Sequence, residues 1–176
     1  MMDLERIAEI IYETAEQEDK ELLEIANEGI FHMPELAFVY QCGKSIKKDA
    51  NRIFGHDDVK WIRELDLKNG GPTDLVFENR DDETLAIEFK MRATDTAYQN
   101  DIMKLCRIER PNTKKLFCAL IDEFDEPKQK DLRQERVELI EGVKVTLIFR
   151  NKFKTIQHWY ASQVSCVVCV WLVESI

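Results

Sequence analysis

Apolar residues recur at helical spacing from residue 3 to residue 30 (Leu4, Ile7, Ala8, Ile11; then Leu22, Leu23, Ile25, Ala26) on an acidic background. This pattern predicts two helices or one bent one, closed by Gly29. Pro34 suits the first turn of a second helical unit, "PELAFVYQCGKSIKKDANRIFG", ending near Gly55. Strand-like runs follow at 58–67, 73–79 and 84–91, where the period falls to two. "DTAYQNDIMKLCRIER" returns to a helical pattern and stops before Pro111. "KKLFCALIDEF" then reads as a strand, and "EPKQKDLRQERVELIEG" as a helix with Gly142 beyond its end. "VKVTLIFR" and "VSCVVCVWLV" are the last two strands. Helices and strands alternate without long linkers or repeats, the pattern of a single α/β domain with a mixed sheet flanked by helices.

The hairpin at 73–91 has an anomaly. With "NRDDE" (79–83) as its turn, residues whose numbers sum to 162 face each other: Glu78 with Thr84, Val76 with Ala86, Asp74 with Glu88. One face carries Leu75, Phe77, Leu85, Ile87, Phe89 and Met91. The other gathers Asp74, Glu88 and Lys90, because side chains alternate along a strand. Like charges directly opposed destabilise a sheet, and a divalent cation removes that conflict. Hard oxygen ligands at this separation suit Mg²⁺, whose remaining positions go to water and substrate phosphates. Gly70 and Gly71 allow a tight turn just before Asp74, and Pro72 fixes the approach. A wet outer face with incidental charges is the competing explanation for any one of the three residues, but not for their joint arrangement.

"PTD" at 72–74 followed by "EFK" at 88–90 resembles the PD-(D/E)xK nuclease signature, with Thr73 separating the proline from the aspartate. The helix, three-strand, helix, strand order over 34–122 is similar to that superfamily's restriction-endonuclease-like α-β-β-β-α-β core. Helices would be added before this core, as an acidic extension over 1–30, and a helix and strands after it over 123–176. The resemblance implies that Asp74, Glu88 and the backbone carbonyl of Phe89 bind Mg²⁺ or Mn²⁺, and that Lys90 assists the attacking water. It also implies a carboxylate from the preceding helix. Glu35 is the candidate, although an acid in a helix's first turn also interacts well with the dipole; Glu28 and Glu64 are substitutes. The activity implied is hydrolysis of DNA phosphodiester bonds, in restriction, repair or phage defence. The alternatives are an RNA-directed nuclease and a non-catalytic nucleic-acid- or protein-binding module on the same fold.

Charge refines this expectation. The formal net charge is −9, and residues 1–30 hold ten acids against two bases, so the rest of the chain is nearly neutral. A local basic surface is therefore permitted. Lys44, Lys48 and Arg52 are spaced by four, with Lys47 beside them, and Arg92 follows the Glu88–Lys90 strand. These are the candidate nucleic-acid contacts, although a lysine stripe is as readily a solvated face. Lys104 and Arg107 are further candidates on the next helix. The resemblance also implies a polar group reaching the cleft from that helix, for which Tyr98, Gln99 and Asp101 are the candidates. The acidic N-terminal segment would face away from DNA, pack on a protein partner, or cover the cleft.

Five cysteines in apolar contexts and an acidic N-terminus without a leader lead us to expect a reducing, cytoplasmic setting. The ten-residue apolar run at 164–173 is too short to span a bilayer as a helix. Cys166 and Cys169, three apart on a strand, point to opposite faces and cannot chelate one ion. A strand apolar on both faces is either central to the sheet or part of a homodimer contact.

Overall fold

The computed structural model describes residues 2–124, 132–158 and 164–175 of the 176-residue chain. The elements in chain order are helix α1 (Leu4–Ala26), a short 3-10 turn (Ile30–His32), helices α2 (Glu35–Lys48) and α3 (Ala50–Phe54), and strands β1 (Val59–Asp66), β2 (Pro72–Asn79) and β3 (Thr84–Met91). Helix α4 (Asp95–Cys106), strand β4 (Thr113–Phe124), helix α5 (Arg133–Glu138) and strands β5 (Val143–Thr155) and β6 (Val164–Ser175) follow. One six-stranded sheet runs β1-β2-β3-β4-β6-β5. Only the β3–β4 pair is parallel, with α4 as its crossover. The domain is therefore α/β with a mixed sheet, in the helix, three-strand, helix, strand order expected of residues 34–122.

Both faces of the sheet are covered. Leu75, Phe77, Leu85, Ile87 and Phe89 join Leu116, Cys118 and Leu120 in a core beneath α1, α2 and α3. Phe117, Ala119, Ile121, Val167, Cys169 and Trp171 form the second core, beneath α4 and α5. At roughly 25 cal/mol per Å² of apolar area buried, these two layers are the main source of stability. Two close approaches fix how the first layer sits. A Cβ at Gly43 would lie 2.4 Å from the Trp61 ring, so α2 rests directly on β1. Tyr12 of α1 packs its ring 5.9 Å from those of both Phe149 and Phe153 on β5.

Several expectations change in detail. Residues 4–26 form one helix, the second of the two expected arrangements, and Asn27 (φ 53°), not Gly29, closes it in the left-handed conformation. The helix expected over 34–55 breaks at Asp49, so Lys44 and Lys48 lie on α2 but Arg52 on α3. The helix expected over 126–142 is observed at Arg133–Glu138, while 125–131 lie outside the described residues. Strand β5 runs on to Thr155, because its polar second half still pairs with β6. Strand β6 lies between β4 and β5, so its two apolar faces are both core. That position removes the argument for a subunit contact there. Among the described residues no helix is long and apolar enough to cross a membrane.

Candidate active site

The β2–β3 register follows the expected sum of 162, from Glu78↔Thr84 to Leu75↔Ile87. The turn is held by Asn79, whose side chain accepts from the N–H groups of Asp81 and Glu83, with Asp82 at φ 57°. One step beyond Leu75 the pairing ends, so Asp74 and Glu88 are not ladder partners. Instead Asp74 Oδ2 accepts the backbone N–H of Phe89 at 2.8 Å. Two residues on, the N–H of Met91 is accepted by Glu35 Oε2, also at 2.8 Å. Alternate residues of a strand direct their backbone groups to the same edge. Two carboxylates thus take the places that a longer β2 would have filled, and β3 is left with an open edge lined by acids.

The turn before Asp74 is built as its glycines suggested. Gly70 and Gly71 have φ of +105° and +148°, where a side chain would be strained. Asn69, 1 % exposed, bonds Thr73 Oγ1 at 3.3 Å and the Lys104 carbonyl at 3.1 Å, tying this loop to α4.

Helix α4 covers the face that carries the charges. Tyr98, Ile102 and Leu105 are its buried stripe. Flanking that stripe, Asp101 Oδ2 lies 3.0 Å from Lys90 Nζ, and Lys104 Nζ lies 2.8 Å from Glu88 Oε1. Lys104 Nζ also donates to the carbonyl of Pro72. Lys90 is bracketed by a second acid, with Glu35 Oε1 3.5 Å away. Glu88 is 1 % exposed because α4 lies over it.

Burial governs the electrostatics. It pushes Glu88 up to about 8, with the neighbouring Asp74 charge adding to the rise and Lys104 opposing it. Asp74 is raised as well, again mainly by burial, against the Phe89 N–H and Lys90 that lower it. Burial alone would lower Lys90, but Asp101, Glu35 and Asp74 together raise it, so its ammonium is held charged. Both carboxyls of the pair are thus raised even with Lys90 and Lys104 beside them.

Among the described residues no group of three His, Cys, Asp or Glu side chains is placed to hold a metal ion. A cation here would rest on Asp74 and Glu88, with the Phe89 carbonyl on the same strand edge as its N–H. Glu88 Oε1 is buried and makes no hydrogen bond, since its contact with Lys104 is an ion pair at an unfavourable angle. Two carboxylates, one with an oxygen free of hydrogen bonds, and a carbonyl fit Mg²⁺ or Mn²⁺, which keep several waters or phosphate oxygens.

Of the sequence candidates, Asp74, Glu88, Lys90 and Glu35 come together. Glu35 is spent on Met91 and Lys90, which makes it a positioning residue for the lysine. Glu28 instead pairs with His158 at 2.8 Å, and Glu64 is exposed on β1 with φ 52°. Lys44 and Lys48 are not brought to the site. They border a groove of about 430 Å³ between α1 and α2, facing Glu13, Glu18 and Glu21, where the acids offset their charge. Arg52 is exposed on α3. Arg92 lies 3.3 Å from Asp122 and over the Phe31 ring. Helix α1 makes its main contacts with α2, α3, β5 and β6.

Asp101 and Lys104 are the residues whose roles the sequence underrated. Their signal was position: both flank the 98-102-105 apolar stripe of a helix that had to cover the charged face. Tyr98 is fully buried against Phe117, 5.4 Å between ring centroids, and does not line a cleft. All five cysteines are free, and burial drives the thiols of Cys42, Cys118 and Cys166 well above the ordinary range, the condition of inert core residues. Comparisons with protein-family models, with curated proteins and with solved structures returned no match.

Proposed function

We propose that this chain is a divalent-metal-dependent nuclease of the PD-(D/E)xK type, acting on DNA phosphodiester bonds. The observation that carries the reading is the meeting of Asp74, Glu88 and Lys90 at the open edge of β3, with both carboxylates driven upward chiefly by burial and Glu88 further by the Asp74 charge. A structural role would not require two acids in such a place. Asp74, Glu88 and the Phe89 carbonyl would hold Mg²⁺ or Mn²⁺, which supplies Lewis-acid polarisation of the phosphate and a nucleophile at neutral pH.

The remaining chemistry belongs to the chain. Lys90, kept charged by Asp101 and Glu35, donates from Nζ to the attacking water or to the phosphate oxygens on which charge develops. Glu35 and Asp101 fix its direction from opposite elements, α2 and α4. The cover of α4 lowers the local dielectric and strengthens each of these interactions.

A second reading, a non-catalytic nucleic-acid- or protein-binding module, draws on the placement of Lys104 against Glu88 and of acids around Lys44 and Lys48. One assay separates the two. Purified protein is incubated with plasmid, linear and single-stranded DNA and with RNA, in Mg²⁺ or Mn²⁺, beside Lys90→Ala and Glu88→Gln. The nuclease reading expects metal-dependent cleavage reduced on the order of 100-fold or more in both variants. Cleavage of RNA alone would redirect the substrate assignment, and absence of cleavage on every substrate would leave the binding module.

A further inference from the structure

Lys104 stands where the proposed metal chemistry would least tolerate it. Its ammonium is 2.8 Å from Glu88 Oε1 and also donates to the Pro72 carbonyl, two residues before Asp74. Lys90 is already engaged by Asp101 at 3.0 Å and Glu35 at 3.5 Å. Among the described residues Lys104 is thus the cation that the buried Glu88 receives. The contact is electrostatic and not well directed, for Oε1 still lacks a hydrogen bond.

The backbone of Lys104 is anchored, and its side chain is held only at its tip, by Glu88 and the Pro72 carbonyl. Asn69 Nδ2 donates to the Lys104 carbonyl at 3.1 Å and to Thr73 Oγ1 at 3.3 Å, which fixes this turn of α4 relative to β2. The ammonium, by contrast, ends a four-carbon stem with low intrinsic rigidity. It can leave Glu88 without any movement of the helix, and its reach keeps it at the mouth of the site.

We propose that Lys104 is a resident stand-in for the divalent cation: it lies against Glu88 in the metal-free chain, is displaced when a cation binds Asp74 and Glu88, and then takes a phosphate oxygen of the substrate strand. This rests on reading Asp74 and Glu88 as the metal pair. It makes Lys104 a competitor for the metal and a ligand for the nucleic acid, which couples occupancy of the site to substrate binding.

The test is direct Mn²⁺ binding, by calorimetry, to wild type, Lys104→Met, Lys104→Arg and Lys68→Met, the last removing an exposed charge from the loop before β2. Lys104→Met is expected to bind Mn²⁺ about tenfold more tightly or better, since a positive charge beside the cation is gone. Lys104→Arg should bind no more tightly than wild type, and Lys68→Met should match wild type. Equal or weaker binding by Lys104→Met overturns the proposal and leaves the metal reading intact; no binding by wild type or any variant sinks both. The wild-type chain gives an independent readout that does not depend on a variant folding. Its Lys104 ammonium NMR resonance, assigned by its absence from Lys104→Arg, should move to that of a solvated lysine at saturating Mg²⁺, and an unmoved resonance overturns the exchange.

Discussion

The carboxylate of Glu35, at the start of α2, accepts the backbone N–H of Met91, 56 residues away, at 2.8 Å. Its other oxygen is 3.5 Å from Lys90. One side chain therefore closes the open edge of β3 and aims the lysine. A hydrogen bond to a charged group contributes about 1.5–3 kcal/mol when buried, and Glu35 is a third exposed, so its loss in Glu35→Ala is expected to cost about 1 kcal/mol. Glu35→Gln retains an acceptor for Met91 and should cost less than half of that, yet cleavage should fall in both because neither holds Lys90 by charge. Urea unfolding beside the DNA assay checks this; equal cleavage by wild type and Glu35→Gln would remove the positioning role.

Stability should fall with rising pH in the absence of divalent cations. The folded-state carboxyl of Glu88 sits at about 8 against an ordinary value of 4.5, so the folded chain keeps a proton that the unfolded chain releases. The stabilising contribution is complete below about 4.5 and is lost as pH climbs through about 8. Asp74, shifted in the same direction, adds to the effect. Melting temperatures from pH 5 to pH 8.5 should decline more steeply for wild type than for Glu88→Gln. Parallel profiles would mean that Glu88 titrates normally.

Asp19 is a structural acid, 3 % exposed, that joins three elements. It accepts the Ile30 N–H at 2.7 Å and the Thr155 hydroxyl, linking α1, the 3-10 turn and the end of β5. Asp19→Ala leaves both donors buried and unpaired and should cost about 2–3 kcal/mol. Asp19→Asn keeps an acceptor oxygen in place and should cost under about 1 kcal/mol. Chemical denaturation of the two variants decides; equal losses would show that the charge, not the acceptor, is what matters.

Gly43→Ala sets two effects against each other. Alanine in a helix interior gains about 0.5–1 kcal/mol over glycine. The new Cβ would meet the Trp61 ring at 2.4–2.6 Å, and overpacking of that kind costs about 1–3 kcal/mol. Net destabilisation is expected, with a change in Trp61 fluorescence as the ring shifts. A more stable Gly43→Ala would show that α2 rides over β1 with room to spare.

Much of the site was legible before any fold was known, because a strand's period of two and a hairpin's fixed sum are local rules. They placed Asp74, Glu88 and Lys90 on one face and the apolar residues on the other, and the register of β2 and β3 agrees with them. Cys166 and Cys169 on opposite faces follow from the same rule. Glu35 was legible only as one glutamate among several, since nothing local distinguishes a first-turn acid serving its own helix from one serving another strand.

Long-range packing decided the rest. The sequence alone determined which residues share a face, where most elements begin, and that a sheet with helices would result. Local sterics and hydrophobic period are sufficient for that. Only the tertiary structure decided that β2 leaves β3 just before Asp74, so that two carboxylates cap β3 instead of opposing each other in a ladder. It also decided that α4 buries Glu88 and presents Asp101 to one lysine and Lys104 to one glutamate. The Lys44 and Lys48 stripe was turned toward the acids of α1, because the apolar side of α2 had to face the sheet. Which charges meet depends on how whole elements stack to bury their apolar faces, and no rule of spacing along the chain carries that information.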